Sequence, residues 1–214
     1  MKEGGEYVFK MHKKLIIGIV IGIVVVLFLA YNIFRYPTLF RSLHDESLNK
    51  KQVNTLVEKI KQKDDVHSLV AYFSYSGRTK TIAREIQTKV KGDLFEIERK
   101  EAYKNPYTQG NMEIRFNQKP ELKKQVQNIK DYDVIFIGFP IWFHATPAII
   151  NSFIEEHNLK DKIIIQFCTS GESDIDEAMP TFLNSCKDLA IYQEKRIANG
   201  DVVESWLQEI GLFK

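Results

Sequence analysis

The sequence predicts an α/β protein: a five-stranded, parallel, doubly wound sheet with helices on both faces, preceded by one transmembrane helix. Three observations carry this. From residue 66 onward, short apolar runs alternate with segments whose apolar residues recur at helical spacing, five times over. The runs are continuous rather than alternating, as strands buried on both faces require. Residues 15–34, LIIGIVIGIVVVLFLAYNIF, carry no charge over about the length that crosses a hydrocarbon core.

Four segments follow from this: a basic tail at 1–14, the span at 15–34, a juxtamembrane connector at 35–65 and a globular domain at 66–214. A secretory signal has a shorter apolar region, about 7–15 residues, and a small-residue cleavage site. Here the span runs into the bulky Tyr31-Asn32-Ile33-Phe34-Arg35-Tyr36. No cysteine ends the span, which excludes a lipid-modified N-terminus, and a soluble core helix would show a polar face. The span therefore reads as an uncleaved anchor. Lys10, Lys13 and Lys14 crowd its first side, while Arg35, Arg41, Lys50 and Lys51 are spread along the second. By the positive-inside rule this favours a globular part outside the cytoplasm. In the connector, Leu48, Val53, Leu56, Val57 and Ile60 recur at near-helical spacing among charged residues, which predicts an amphipathic helix standing the domain off the membrane.

Strands are expected at Leu69–Phe73, Leu94–Ile97, Val134–Gly138, Ile163–Phe167 and near Leu189–Ile197. Ile82, Ile86 and Val90 mark the first intervening helix. The stretch holding Tyr103, Pro106, Tyr107 and Gly110 reads as irregular. Pro120 is expected to open a short helix, since proline suits a first helical turn, and Pro147 the next, with Ile150 and Ile154 on one face. Ser173 or Asp174 caps a helix through about Lys187, and Val203, Trp206, Leu207 and Ile210 face the core from the last.

Composition narrows function. Two cysteines are too few for a disulfide scaffold or a four-cysteine metal site. Of 30 basic and 28 acidic residues, five and two fall in 1–35, which leaves 36–214 with 25 and 26, a net of −1. A domain so balanced has no broad basic face for nucleic acid. The five histidines show no metal-ligand spacing.

In a doubly wound sheet, ligands bind at the carboxyl ends of the strands, so the loops after strands one, three and four are informative. The first, Ser74-Tyr75-Ser76-Gly77-Arg78-Thr79, sets three hydroxyls and a glycine at a helix N-terminus, where backbone N–H groups and the helix dipole favour an anion. Capping alone needs one such residue. Neither the Gly-Lys-Ser/Thr of a nucleotide triphosphatase nor a Gly-x-Gly-x-x-Gly is present. The second loop, Gly138-Phe139-Pro140-Ile141-Trp142-Phe143-His144-Ala145-Thr146-Pro147, brings aromatic side chains to the ligand end. Trp142 there either stacks on a planar ring or plugs the core or a subunit contact. The third, Cys168-Thr169-Ser170-Gly171-Glu172-Ser173, offers polar groups to the same place.

Phe73-Ser74-Tyr75-Ser76-Gly77-Arg78-Thr79, Asp93–Ile97, Pro140-Ile141-Trp142 and Phe167-Cys168-Thr169-Ser170-Gly171, in this order and after these strands, resemble the flavodoxin family over about 66–214. The resemblance implies strand order 2-1-3-4-5 and non-covalently bound FMN. Carried over by position, Ser74, Ser76, Gly77, Arg78 and Thr79 would hold the phosphate. Pro140, Ile141, Trp142 and Phe143 would line the isoalloxazine ring, and Thr169, Ser170 and Gly171 would contact its pyrimidine edge or the ribityl chain. Arg78 stands where asparagine is common in this branch, and Phe143 where tryptophan is.

The function expected is a membrane-anchored FMN flavoprotein that transfers electrons, with a quinone or a redox protein as partner. An NAD(P)H:quinone-type reductase is the enzymatic variant, and a cofactor-free flavodoxin-like binding domain the alternative. A signalling receiver would need paired acids after strand one and an aspartate after strand three; Ser74-Tyr75-Ser76 and Phe139-Pro140 stand there instead. His144, beside the expected flavin, either donates to the reduced ring or to a substrate, or is a surface or backbone-bonded histidine. Cys168 is either redox-active or a small core residue.

Overall fold

Strand β1 (Ser68–Tyr72) is buried along its whole length, and its alternate side chains go to opposite faces. A computed structural model of the chain, describing residues 2–198 and 202–213, shows what each face meets. Met1, residues 199–201 and Lys214, which fall in the predicted tail and domain, lie outside the described residues. Val70 and Tyr72 join one apolar cluster, Leu69 and Ala71 a second. The remaining strands are β2 (Asp93–Glu96), β3 (Val134–Pro140), β4 (Ile163–Thr169) and β5 (Ala190–Arg196). All pair in parallel, in the order β2-β1-β3-β4-β5. The winding reverses between β1 and β3, and such a switch point opens a crevice at the carboxyl ends of the strands.

Helices α3 (Arg78–Val90) and α7 (Val203–Ile210) cover the first face through Ile82, Ile86, Trp206 and Ile210. Helices α5 (Ala148–Glu156) and α6 (Ile175–Leu183) cover the second through Ile150, Phe153 and Phe182. Asp174 caps α6, as expected, but the helix stops at Leu183 rather than near Lys187. Pro180 lies inside it and has no N–H to offer the helical ladder. Ser185 N–H then bonds Phe182 O, a tightened turn that closes the element.

Two further expectations are corrected. Pro120 opens no helix. Residues 121–123 instead pair antiparallel with 98–100 around Arg99 and Leu122, through Lys100 N–H to Glu121 O and Lys123 N–H to Glu98 O. Chain beyond β2 offers unpaired backbone groups there, and Leu122 fills the second core. A helix does form where an irregular stretch was expected: α4 (Pro106–Arg115) has proline in its first turn, and Asn105 Oδ1 accepts from the N–H groups of Tyr107 and Thr108.

The connector does not stand the domain off. Leu48 N–H bonds Leu189 O and Asp188 N–H bonds Glu46 O, so the segment is held along the domain before entering α2 (Lys50–Lys61). Val53, Val57 and Ile60 of α2 are buried in the first core, together with β4 and β5 residues. An apolar stripe on an amphipathic helix is satisfied best by another apolar surface, and the sheet supplies one.

Helix α1 (Lys2–Arg35) joins the predicted tail and span into one element. Its segment Met11–Arg35 is, among the described residues, the one helix long and apolar enough to cross a membrane; none of its residues is fully buried, and only Asn32 and Arg35 near its end are half-buried.

Candidate functional site

The chain leaves β1 through Phe73 and Ser74 and turns into α3 at Gly77. Gly77 has φ +89°, a left-handed conformation that glycine takes without strain. It occupies the capping position, and no side chain caps the helix there. The first N–H groups of a helix have no intrahelical partner, so at α3 they remain available. The first turn carries no acidic residue. Ser74 Oγ is buried without a hydrogen-bond partner. The hydroxyls of this loop are thus not spent on capping. A buried donor beside open N–H groups and a helix dipole is the arrangement that receives a phosphate.

Three loops meet at this point. Phe73 N–H bonds Gly138 O, which ties the first loop to β3. Pro140 lies opposite Thr169 in the β3–β4 register, and Ile141 N–H bonds Thr169 O at 2.9 Å. Thr79, at the start of α3, is buried and pairs its Oγ1 with that of Thr169 at 2.8 Å. Ser170 Oγ accepts from Glu172 N–H. The structure therefore gathers Ser74, Gly77, Thr79, Pro140, Ile141, Thr169 and Ser170 around the carboxyl ends of β1, β3 and β4. Ser76, Arg78 and Gly171 stand at its rim, exposed to solvent.

Trp142 occupies the middle. Its backbone closes a tight turn with Ala145, N–H to O in both directions, and Phe143 and His144 make the turn with positive φ. The indole meets Phe73 and Tyr103 edge-on, ring centres 5.2 Å apart in each case, and Tyr75 at 6.0 Å. On another side it lies against Gly110 of α4, where an added Cβ would stand 2.7 Å from Trp142 Cε3. Only glycine admits the ring at that distance. Gly110 is thus a site residue that periodicity and motif did not reveal; it lies 32 positions from its partner.

Tyr103 hydrogen-bonds Glu113 Oε2 at 2.7 Å, and Arg99 Nε donates to the same carboxylate at 3.2 Å. Burial pushes the Glu113 carboxyl above the usual carboxylate range, and neither the tyrosine nor the arginine reverses it. His144 pairs with Glu177 through Nδ1, stands 3.3 Å from Ser173 Oγ, and stacks on Tyr36 at 4.5 Å between ring centres. Cys168 is wholly buried, and burial pushes its thiol up to about 12. Of the two readings of Cys168, the core residue fits. No cluster able to hold a metal ion occurs among the described residues.

A family model described as Flavodoxin matches residues 67–210. The chain belongs to the flavodoxin family. Among solved structures, a candidate flavoprotein from Bacteroides eggerthii is 33% identical, with TM-score 0.63, over 69% of this chain and 99% of its own. A second, from Bacteroides uniformis, is 29% identical with TM-score 0.62, over 68% and 99%. A flavoprotein from Lactobacillus acidophilus, solved in complex with FMN, shares the fold at 23% identity and TM-score 0.58, over 66% and 99%. No curated protein matches the chain. In this flavodoxin domain the three loops singled out from sequence are the ones the sheet brings together.

Proposed function

We propose that the chain is a membrane-anchored flavoprotein that holds FMN without a covalent bond and passes electrons through it. One observation carries the reading: the buried, unpartnered hydroxyl of Ser74 at the uncapped N-terminus of α3. Ser74, Ser76 and Thr79 hydroxyls and the N–H groups of 76–79 hold the phosphate, and Arg78 adds charge at the rim. Pro140, Ile141, Trp142 and Phe143 line the ring, and Thr169, Ser170 and Gly171 meet its polar edge. The flavin supplies the redox chemistry; the protein supplies binding, orientation and the electrostatic setting of its potential. Helix α1 holds the domain at the membrane, where a quinone or another redox protein is the partner. A cofactor-free binding domain would leave the Ser74 hydroxyl buried at a cost with no return.

The test uses the full chain in detergent, loaded with FMN and freed of excess by gel filtration. A blue flavin absorption band travels with the protein, bleaches with dithionite and returns when a quinone is added. If NADH or NADPH alone bleaches it, the protein is a reductase of the NAD(P)H:quinone type; if not, it is a carrier. A protein that emerges colourless contradicts the reading.

A further inference from the structure

The span and the site touch. Asn111 Nδ2 donates to Phe34 O at 2.6 Å, and Arg115 bonds Ile33 O. Phe34 lies edge-on to Phe143 at 5.8 Å, and Tyr36, one residue past α1, stacks on His144. Arg41 then reaches back to Ile114 O at 3.3 Å. Helix α4 and the ring-lining loop are therefore bonded directly to the last residues of the apolar helix, with no spacer between.

A helix of 25 residues is about 37 Å long, against a hydrocarbon core of about 30 Å. On the anchored reading of α1, its last residues, Ile33 to Arg35, would lie at the depth of the headgroups. Whatever they bond lies there too. Beyond Tyr36, the large apolar side chains exposed on this domain are Leu39 (56%), Phe40 (82%), Tyr75 (55%), Tyr107 (73%), Met112 (48%) and Phe116 (59%); elsewhere among the described residues only Leu94 and Val202 are exposed. Those six lie on the strap after the span, on or at the end of α4, and on the loop beside Trp142. Arg35, Arg41 and Lys104 are interspersed with them. Aromatic and apolar side chains among bases is the composition that settles at a lipid interface.

We infer that this face, formed by residues 36–41 and α4, docks on the bilayer surface beside the span, so that the rim of the flavin site opens at headgroup depth. The inference rests on the anchored reading of α1, to which it adds the orientation of the domain. An electron acceptor dissolved in the lipid, of the quinone class, then reaches the site without leaving the membrane.

The full chain in lipid nanodiscs tests this with an environment-sensitive fluorophore on a single introduced cysteine. Cys168 and Cys186 are buried and stay unlabelled in the folded protein. The positions are Val24→Cys in the span, Tyr107→Cys and Phe116→Cys on the face, and Lys160→Cys at the far end of the sheet. The expected result is blue-shifted emission, lost when brominated lipids are substituted, at 24, 107 and 116 but not at 160. If 24 is quenched while 107 and 116 behave like 160, the anchor stands and the docking fails. Quenching at all four positions alike also overturns the docking. If 24 itself is not quenched, the anchored reading fails and the docking with it.

Discussion

At Ser74 a hydroxyl lies buried without a partner beside the open N-terminus of α3. An unmatched buried donor costs about 1–3 kcal/mol, and a hydrogen bond to a charged group is worth about 1.5–3 kcal/mol. Ser74→Ala is therefore expected to weaken FMN binding roughly 10- to 100-fold while leaving riboflavin, which lacks the phosphate, nearly unchanged; fluorescence titration with each flavin measures both. Glu113 makes a different prediction. Its carboxyl is held above the ordinary range chiefly by burial, against the Tyr103 hydrogen bond and the Arg99 charge. Between the ordinary carboxylate value and the raised one, the unfolded chain loses its proton while the folded chain keeps it. Stability linked to this proton is fully present below the ordinary value and is lost as pH rises through the raised one. Glu113→Gln should flatten that fall, read from denaturant midpoints across mildly acidic pH.

At the scale of elements, α2 is the informative case. Its apolar spacing is visible in the sequence, but a stripe of Val53, Val57 and Ile60 does not say which apolar surface it meets. The sheet meets it. Ile60→Ala should cost about 2–5 kcal/mol, seen as a lower denaturation midpoint. A chain beginning at residue 66 should unfold more readily than one beginning at residue 36. The same distinction explains what could be read and what could not. Hydroxyls flanking a glycine ahead of a periodic helix, and apolar runs closed by turn residues, are local patterns, and the three loops and five strands follow from them. Helix α4 has a local signal too, because Asn105 and Pro106 are a cap and a first-turn proline; the same proline signal at Pro120 yields no helix, because Leu122 pairs across to Arg99. The seat of Trp142 on Gly110 and the bonds from α4 to the end of α1 join residues far apart in sequence, and no local pattern announces them.

For the whole molecule, the doubly wound sheet sets the site at the carboxyl ends of β1, β3 and β4, and the strap from α1 holds that end beside the apolar helix. The fold stands on its own topology, but the proposed function depends on the first loop accepting a phosphate. The most direct measurement is a titration of the full chain, in detergent, with FMN and with riboflavin in parallel. Two charge-assisted hydrogen bonds alone predict that FMN binds at least about 100-fold more tightly. Equal affinity for the two flavins, or no binding of either, would contradict the phosphate-holding role of Ser74–Thr79 and the function built on it.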